Sequence, residues 1–311
     1  MGTAYYCHEE CLRHVTPPGH PEQVARLDHV ARALEGNAFA QLDRREAPLG
    51  AKEDVLLCHP ERYFDRVRAA IPEAGFVSLD ADTHVSPGSF QAAMRGVGAI
   101  TAAVDAVMAG EVANAFVGCR PPGHHAETET AMGFCLFGTV AIGARHALER
   151  HGAARVAVLD FDVHHGNGTQ DLLWDEPRAL FASSHQMPLY PGTGRADERG
   201  AHGQIINQPL AAATGGAEMR RVYTRDIFPA VEAFAPELIL VSAGFDAHRA
   251  DPLANLNWDT EDFAWITSEI CALAARLCAG RVVSTLEGGY DLDALGAAVA
   301  VHVTELMEHG A

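Results

Sequence analysis

Arg155-Val156-Ala157-Val158-Leu159-Asp160-Phe161-Asp162-Val163-His164-His165-Gly166-Asn167-Gly168 changes character halfway along, where an apolar run gives way to two carboxylates and two imidazoles. A short run rich in β-branched and aliphatic residues reads as a strand, and Gly166-Asn167-Gly168 supplies the turn after it. In an extended chain alternate side chains share a face, so Asp160, Asp162 and His164 are expected to point the same way. Such groups are costly to bury unpaired, but together they suit a divalent cation.

Outward from this stretch the same alternation recurs. Apolar runs at Ala115 to Gly118, Arg155 to Phe161, Ala179 to Ser183, Leu238 to Ser242 and Arg281 to Leu286 read as strands. Between and after them, Gly138 to Arg150, Ala217 to Phe234, Thr260 to Ala279 and Leu292 to Met307 carry apolar residues at helical spacing. This is the α/β class, a parallel sheet flanked by helices. The first hundred residues are less regular, with helices expected at Pro21 to Leu34 and Ser89 to Met108. Gln186 to Gln204 holds two prolines and four glycines and should be a long loop at the carboxyl edge of the sheet, where α/β proteins build ligand sites.

The 311 residues, 48% hydrophobic, suffice for one large core, and one domain spanning 1–311 is expected. No apolar run approaches the roughly 18 residues of a membrane span, and Met1 to Glu10 lack the order of a secretory signal, so a cytoplasmic protein is expected. Seven cysteines without a CxxC pair read as reduced thiols, mostly buried. A formal charge of -18 repels nucleic acid and attracts cationic substrates or partners.

Three further features carry chemistry. Val241-Ser242-Ala243-Gly244-Phe245-Asp246 is an apolar strand ending in an aspartate, a third ligand for an ion held by Asp162 and His164; taken alone, Asp246 reads equally well as a helix cap. Two carboxylates and one histidine leave a position open for water, the arrangement of a catalytic zinc. Arg120-Pro121-Pro122-Gly123-His124-His125-Ala126 places two histidines in a stiffened loop, where they can act as base and acid if Asp160 and Asn167 partner them. Leu286-Glu287-Gly288-Gly289-Tyr290 turns sharply and presents a phenol that can donate to a developing oxyanion.

RPPGHHA (Arg120 to Ala126), GFC (Gly133 to Cys135), DFDVHHGNG (Asp160 to Gly168), PGTG (Pro191 to Gly194), SAGFDAHRADP (Ser242 to Pro252) and LEGGY (Leu286 to Tyr290) together resemble the zinc-dependent histone deacetylase superfamily, in the family's order. Before Asp80 the match is weaker, with Gly19-His20-Pro21-Glu22 and Arg26-Leu27 similar to its N-terminal signature. The resemblance implies the arginase/deacetylase fold, a central eight-stranded parallel sheet between helices, and one zinc ion on Asp162, His164 and Asp246. It implies His125, backed by Asn167, as base and then acid, and His124, backed by Asp160, as its electrostatic partner. Tyr290 is implied to polarise the acyl carbonyl. Gly133, Phe134 and Tyr190 would line a narrow channel, with Tyr190 standing where phenylalanine is more usual. Asp82 would grip the substrate's backbone amide. Potassium would lie near Asp160, Asp162, His164 and Ser183.

Asn167 and the RPPGHH loop resemble class II members and bacterial histone deacetylase-like amidohydrolases. Leu253 stands where polyamine-specific relatives carry a glutamate, which favours acyl-lysine in a peptide or protein over an acylated small amine. The expected activity is therefore removal of acetyl or other acyl groups from lysine side chains. An acetylpolyamine or other small-amide hydrolase is the alternative, and a non-catalytic acyl-lysine-binding module is a third reading. Relatives often form homo-oligomers, and no partner in a membrane is expected.

Overall fold

The computed structural model describes residues 2–311. Its strands are β1 (Thr3–Cys7), β2 (Asp43–Glu46), β3 (Val77–Ser78), β4 (His84–Val85), β5 (Asn114–Val117), β6 (Val156–Asp160), β7 (Ala179–Gln186), β8 (Ile205–Leu210), β9 (Leu238–Ala243) and β10 (Val282–Leu286). Eight of them form one sheet in the order β2-β1-β5-β10-β9-β6-β7-β8, and every pairing is parallel. The central strands β5, β10, β9, β6 and β7 are buried along their whole length, as expected of parallel strands covered on both faces.

Among the described residues ten α-helices accompany the sheet: α1 (Ala25–Ala33), α2 (Lys52–Val55), α3 (Glu61–Ala69), α4 (Ser89–Met108), α5 (Thr139–Arg150), α6 (Asn167–Leu173), α7 (Gly216–Val222), α8 (Phe228–Phe234), α9 (Thr260–Leu277) and α10 (Leu292–Gly310). α4 and α5 pack together and onto β5, β10, β9 and β6, while α10 joins α1 and α9 and packs onto β5 and β1. No helix among the described residues is long and apolar enough to cross a membrane.

Several expectations need correction. The stretch Ala217 to Phe234 is two α-helices joined by a π-helical turn at Tyr223–Ile227. Pro229 follows that turn and has no N–H to continue the α-helical ladder, which accounts for the wider turn. The helix expected from Pro21 begins only at Ala25. The strand carrying Asp160 stops there, and residues 161–166 run through bends, so Asp162 and His164 are placed by turn geometry and not by strand alternation.

Strand order explains where the site lies. β5 and β6 are consecutive in the central part of the chain, yet β10 and β9 separate them, so the loops leaving all four open onto one crevice. A crevice at the carboxyl ends of strands whose order reverses is the usual ligand position in an open α/β sheet. The hairpin of β3 and β4 hangs Asp80 and Asp82 from its tip beside it.

Candidate active site

Asp162, His164 and Asp246 converge at the floor of the crevice. His164 Nδ1 lies 3.1 Å from Asp162 Oδ1 and 3.1 Å from Asp246 Oδ2. Both carboxylates are wholly buried. Backbone donors orient them: Gly288 N–H donates to Asp162 Oδ2 at 2.8 Å, and Val163 N–H donates to Asp246 Oδ1 at 2.9 Å. Gly288 is obligatory, because a Cβ there would collide with both carboxylates. Two buried anions in contact with one imidazole need a cation, and ligands roughly 2.0–2.1 Å from a shared zinc sit about this far apart. The residues present therefore fit a divalent ion of the zinc type.

The histidine pairs assemble as the sequence suggests. His124 Nδ1 is 3.1 Å from Asp160 Oδ2, and His125 Nδ1 is 2.7 Å from Asn167 Oδ1. Burial opposes charge on His124, but Asp162 and Asp160 overcome it and lift its pKa to about 10. A cation on Asp162 offsets part of that lift. Burial, with His124 and His164 alongside, holds His125 well below the ordinary histidine value. The two adjacent rings are thus pushed in opposite directions, the arrangement expected of a charged partner beside a neutral base.

Tyr290 reaches the same floor from the turn after β10. Burial raises its phenol well above 10, so it remains a neutral donor. Its ring packs edge-on to Phe134 at 5.8 Å, and the Arg26 guanidinium lies 5.0 Å from its centroid. Arg26 donates to the carbonyl of Gly289 at 2.7 Å and pairs with buried Glu22 at 3.0 Å.

Above the floor, a cavity of about 210 Å³ is lined by Asp82, His125, Gly133, Phe134, His164, Leu189, Tyr190, Leu253 and Tyr290. All five residues expected to contact substrate thus line one cavity. Gly133 must lack a side chain, since a Cβ would run into the His125 ring. Asp82 Oδ1 accepts from Gly133 N–H at 3.2 Å and from the Thr83 hydroxyl at 3.0 Å. Burial and Asp80 raise its pKa. A larger surface hollow of about 800 Å³ around Leu12, Val15 and Phe76 has no metal-ligating cluster among its lining residues.

Residues that sequence reasoning passed over support this site. Glu287 accepts from the N–H groups of Gly123 (2.7 Å) and His124 (3.1 Å), fixing the histidine loop to β10, and burial lifts its pKa to about 7. Glu127 accepts from the Asn167 amide at 2.8 Å, and Leu189 adds to the channel wall. A charged residue closing an apolar strand was the available signal for Glu287. Of the potassium group, Ser183 lies opposite Asp160 in the sheet register, and its hydroxyl bonds His185 Nδ1 at 2.9 Å. All seven cysteines are free and five are buried.

A second group, Asp105 with His146 and His151, has the composition of a ligand set but other geometry. Both Nε2 atoms crowd one oxygen of Asp105, at 2.7 and 2.6 Å, which are hydrogen-bond distances and shorter than the roughly 3.3 Å between ligands on one tetrahedral ion. His146 Nδ1 is buried without a partner, whereas metal-bound histidines ordinarily donate that group.

Comparison with known proteins agrees with this geometry. The family model described as "Histone deacetylase domain" matches residues 20–306. "Histone deacetylase 14, chloroplastic" of Arabidopsis thaliana is 39% identical over 301 residues, covering 90% of this chain and 71% of that protein. The "Histone deacetylase-like amidohydrolase" of Pseudomonas aeruginosa is 38% identical over 310 residues, covering 93% and 81%. The crystal structure of the HDA15 HD domain superimposes with a TM-score of 0.93 at 30% identity, covering 99% of this chain and 89% of that one. Fold, site geometry and these likenesses agree: the chain belongs to the histone deacetylase family and has its arginase/deacetylase fold.

Proposed function

We propose that this member of the family hydrolyses the amide joining an acyl group to the terminal amine of lysine, using one zinc ion held by Asp162, His164 and Asp246. The observation that carries the reading is the convergence, at the base of a 210 Å³ channel, of that ligand set with a base and an oxyanion donor. Zinc, when bound, supplies a Lewis acid that polarises the acyl carbonyl and lowers the pKa of water.

The chain's own residues do the rest. With Nδ1 engaged by Asn167, His125 has Nε2 free to take a proton from the attacking water and return it to the departing amine. His124, held by Asp160, supplies positive charge beside it. The Tyr290 phenol donates a hydrogen bond to the oxygen on which charge develops, a contribution worth about 3–4 kcal/mol in comparable sites. Phe134, Leu189, Tyr190 and Leu253 exclude water and suit a linear alkyl chain, while Asp82 at the rim accepts from a peptide N–H. The reading also puts potassium near Asp160, Asp162, His164 and Ser183.

An acetylpolyamine is the second reading, favoured by Asp82 in the channel lining and by the charge of -18. Leu253 argues against it, since it sets an aliphatic wall where a carboxylate would pair with a secondary amine. Catalytic efficiency of zinc-loaded protein on an acetyl-lysine peptide and on acetylspermidine separates the two. We expect at least a tenfold preference for the peptide, a difference of about 1.4 kcal/mol; the reverse preference refutes the lysine assignment.

A further inference from the structure

The turn that presents Tyr290 has no regular structure of its own. β10 ends at Leu286, α10 begins at Leu292, and Gly289 between them has a φ of 120°, in the region that favours glycine. A phenol that must stand within hydrogen-bond reach of a reacting oxygen needs a better anchor than that. Its own ring contacts fix the plane of the side chain but leave the backbone beneath it to other groups.

Arg26 holds the Gly289 carbonyl before the tyrosine, and Gly288 N–H bonds Asp162; Asp251, on the loop after β9, anchors the N–H groups of Tyr290 itself and of Asp291. Asp251 is 7% exposed, and its carboxylate accepts three backbone N–H groups: Tyr290 at 2.7 Å and Asp291 at 3.4 Å on Oδ2, and Leu253 at 3.0 Å on Oδ1. Burial and the nearby Asp246 push its pKa up to about 7, and the opposing influences are those three N–H groups. A buried carboxylate without a cationic partner is costly to keep. What it offers over asparagine is acceptance on both oxygens at once, whereas an amide turns an NH2 group toward one of the donors. The two oxygens bind two segments that both line the channel, the Tyr290 turn and the loop carrying Leu253.

We infer that Asp251 is the positioning residue for Tyr290: its carboxylate locks the glycine turn to the loop after β9 and so holds the oxyanion donor where charge develops. The inference rests on the deacylase reading for its catalytic consequence, though not for the tether itself. Asp251 touches no reacting atom, so its effect must pass through Tyr290, and this gives it a distinctive signature. A substrate with an electron-poor carbonyl, such as trifluoroacetyl-lysine, stabilises its own developing charge and relies less on the phenol than acetyl-lysine does.

The test compares wild type, Asp251→Asn, Tyr290→Phe and the double variant on acetyl-lysine and trifluoroacetyl-lysine peptides, with zinc content matched. Asp251→Asn should lower kcat on the acetyl peptide by about 10- to 100-fold with little change in KM, and on the trifluoroacetyl peptide by less than about 3-fold. In the Tyr290→Phe background the same substitution should cost less than about 2-fold, because the donor it positions is gone. Equal losses on both peptides, or a full multiplicative loss in the double variant, overturn the inference. Hydrogen–deuterium exchange on the same proteins reads the tether without activity: exchange should rise in residues 287–292 and 251–255 of Asp251→Asn and stay unchanged in the central strands. Unchanged exchange in the Tyr290 turn also overturns it. A wild type that hydrolyses neither peptide refutes the deacylase reading, and the exchange result then decides the tether alone.

Discussion

Asn167 Oδ1 stands 2.7 Å from His125 Nδ1, and the same amide donates to Glu127 at 2.8 Å. Glu127 can only accept, so the amide NH2 faces it and the carbonyl faces the histidine. His125 must then donate from Nδ1, which leaves the lone pair on Nε2.

That relation predicts the effect of Asn167→Asp. A carboxylate in place of a neutral carbonyl stabilises the protonated imidazole and raises the pKa of His125. A base that is protonated more readily is lost at higher pH, so the acid limb of the kcat/KM profile should move upward, by roughly one unit for a buried neighbouring charge. A pH–rate profile of the variant checks this; an acid limb that stays in place or moves downward contradicts the assignment of His125 as base.

The legible parts of the fold were those where burial leaves a pattern. β5, β6, β7, β9 and β10 are covered on both faces and so read as apolar runs. β2 is Asp-Arg-Arg-Glu at one edge of the sheet, and β8 at the other carries Gln208 and Pro209; edge strands need only one paired side and tolerate charge and proline. Neither offers periodicity to read. In the site, side chains gathered in contiguous motifs were legible. Glu287 shows only as a charge closing an apolar strand, and Asp251 and Arg26, which act through the backbone N–H and C=O groups of segments distant in sequence, leave no local pattern.

Buried neutral histidines predict acid lability. His59 lies between the Thr128 carbonyl (3.1 Å) and the Gly138 N–H (2.9 Å), and His302 lies between the hydroxyls of Thr267 (2.7 Å) and Ser284 (2.8 Å). Burial lowers their pKa values to about 4 and about 3. The unfolded chain takes up protons below about 6.5 while these folded sites stay neutral, so their stabilisation is complete above that pH. It is lost as pH falls toward the folded values, at about 1.4 kcal/mol per unit for each histidine. Urea titrations at pH 7 and pH 5 should show His302→Gln losing less stability than wild type between the two, by roughly 2 kcal/mol. Equal losses would rule out His302 as a contributor.

Glu22 joins the N-terminal region to the site, since its buried carboxylate pairs with both Arg26 and Arg120. Glu22→Gln leaves two buried guanidinium groups without their counter-ion, a change that costs about 3–5 kcal/mol in comparable cases. Arg26 also holds the Gly289 carbonyl, so the loss should appear as a lower denaturation midpoint together with reduced turnover. An unfolding free energy within about 0.5 kcal/mol of wild type would show that the network contributes little.

Zinc content measured alongside acetyl-lysine hydrolysis, in wild type and Asp162→Ala, bears most directly on the account. Wild type should hold one zinc per chain and hydrolyse the peptide. The variant, lacking the carboxylate that touches His164 and faces Asp246, should bind zinc at least tenfold more weakly and lose at least 10³-fold in turnover, while keeping its fold by circular dichroism. A folded Asp162→Ala protein that retains both its zinc and most of its hydrolysis would contradict the central claim.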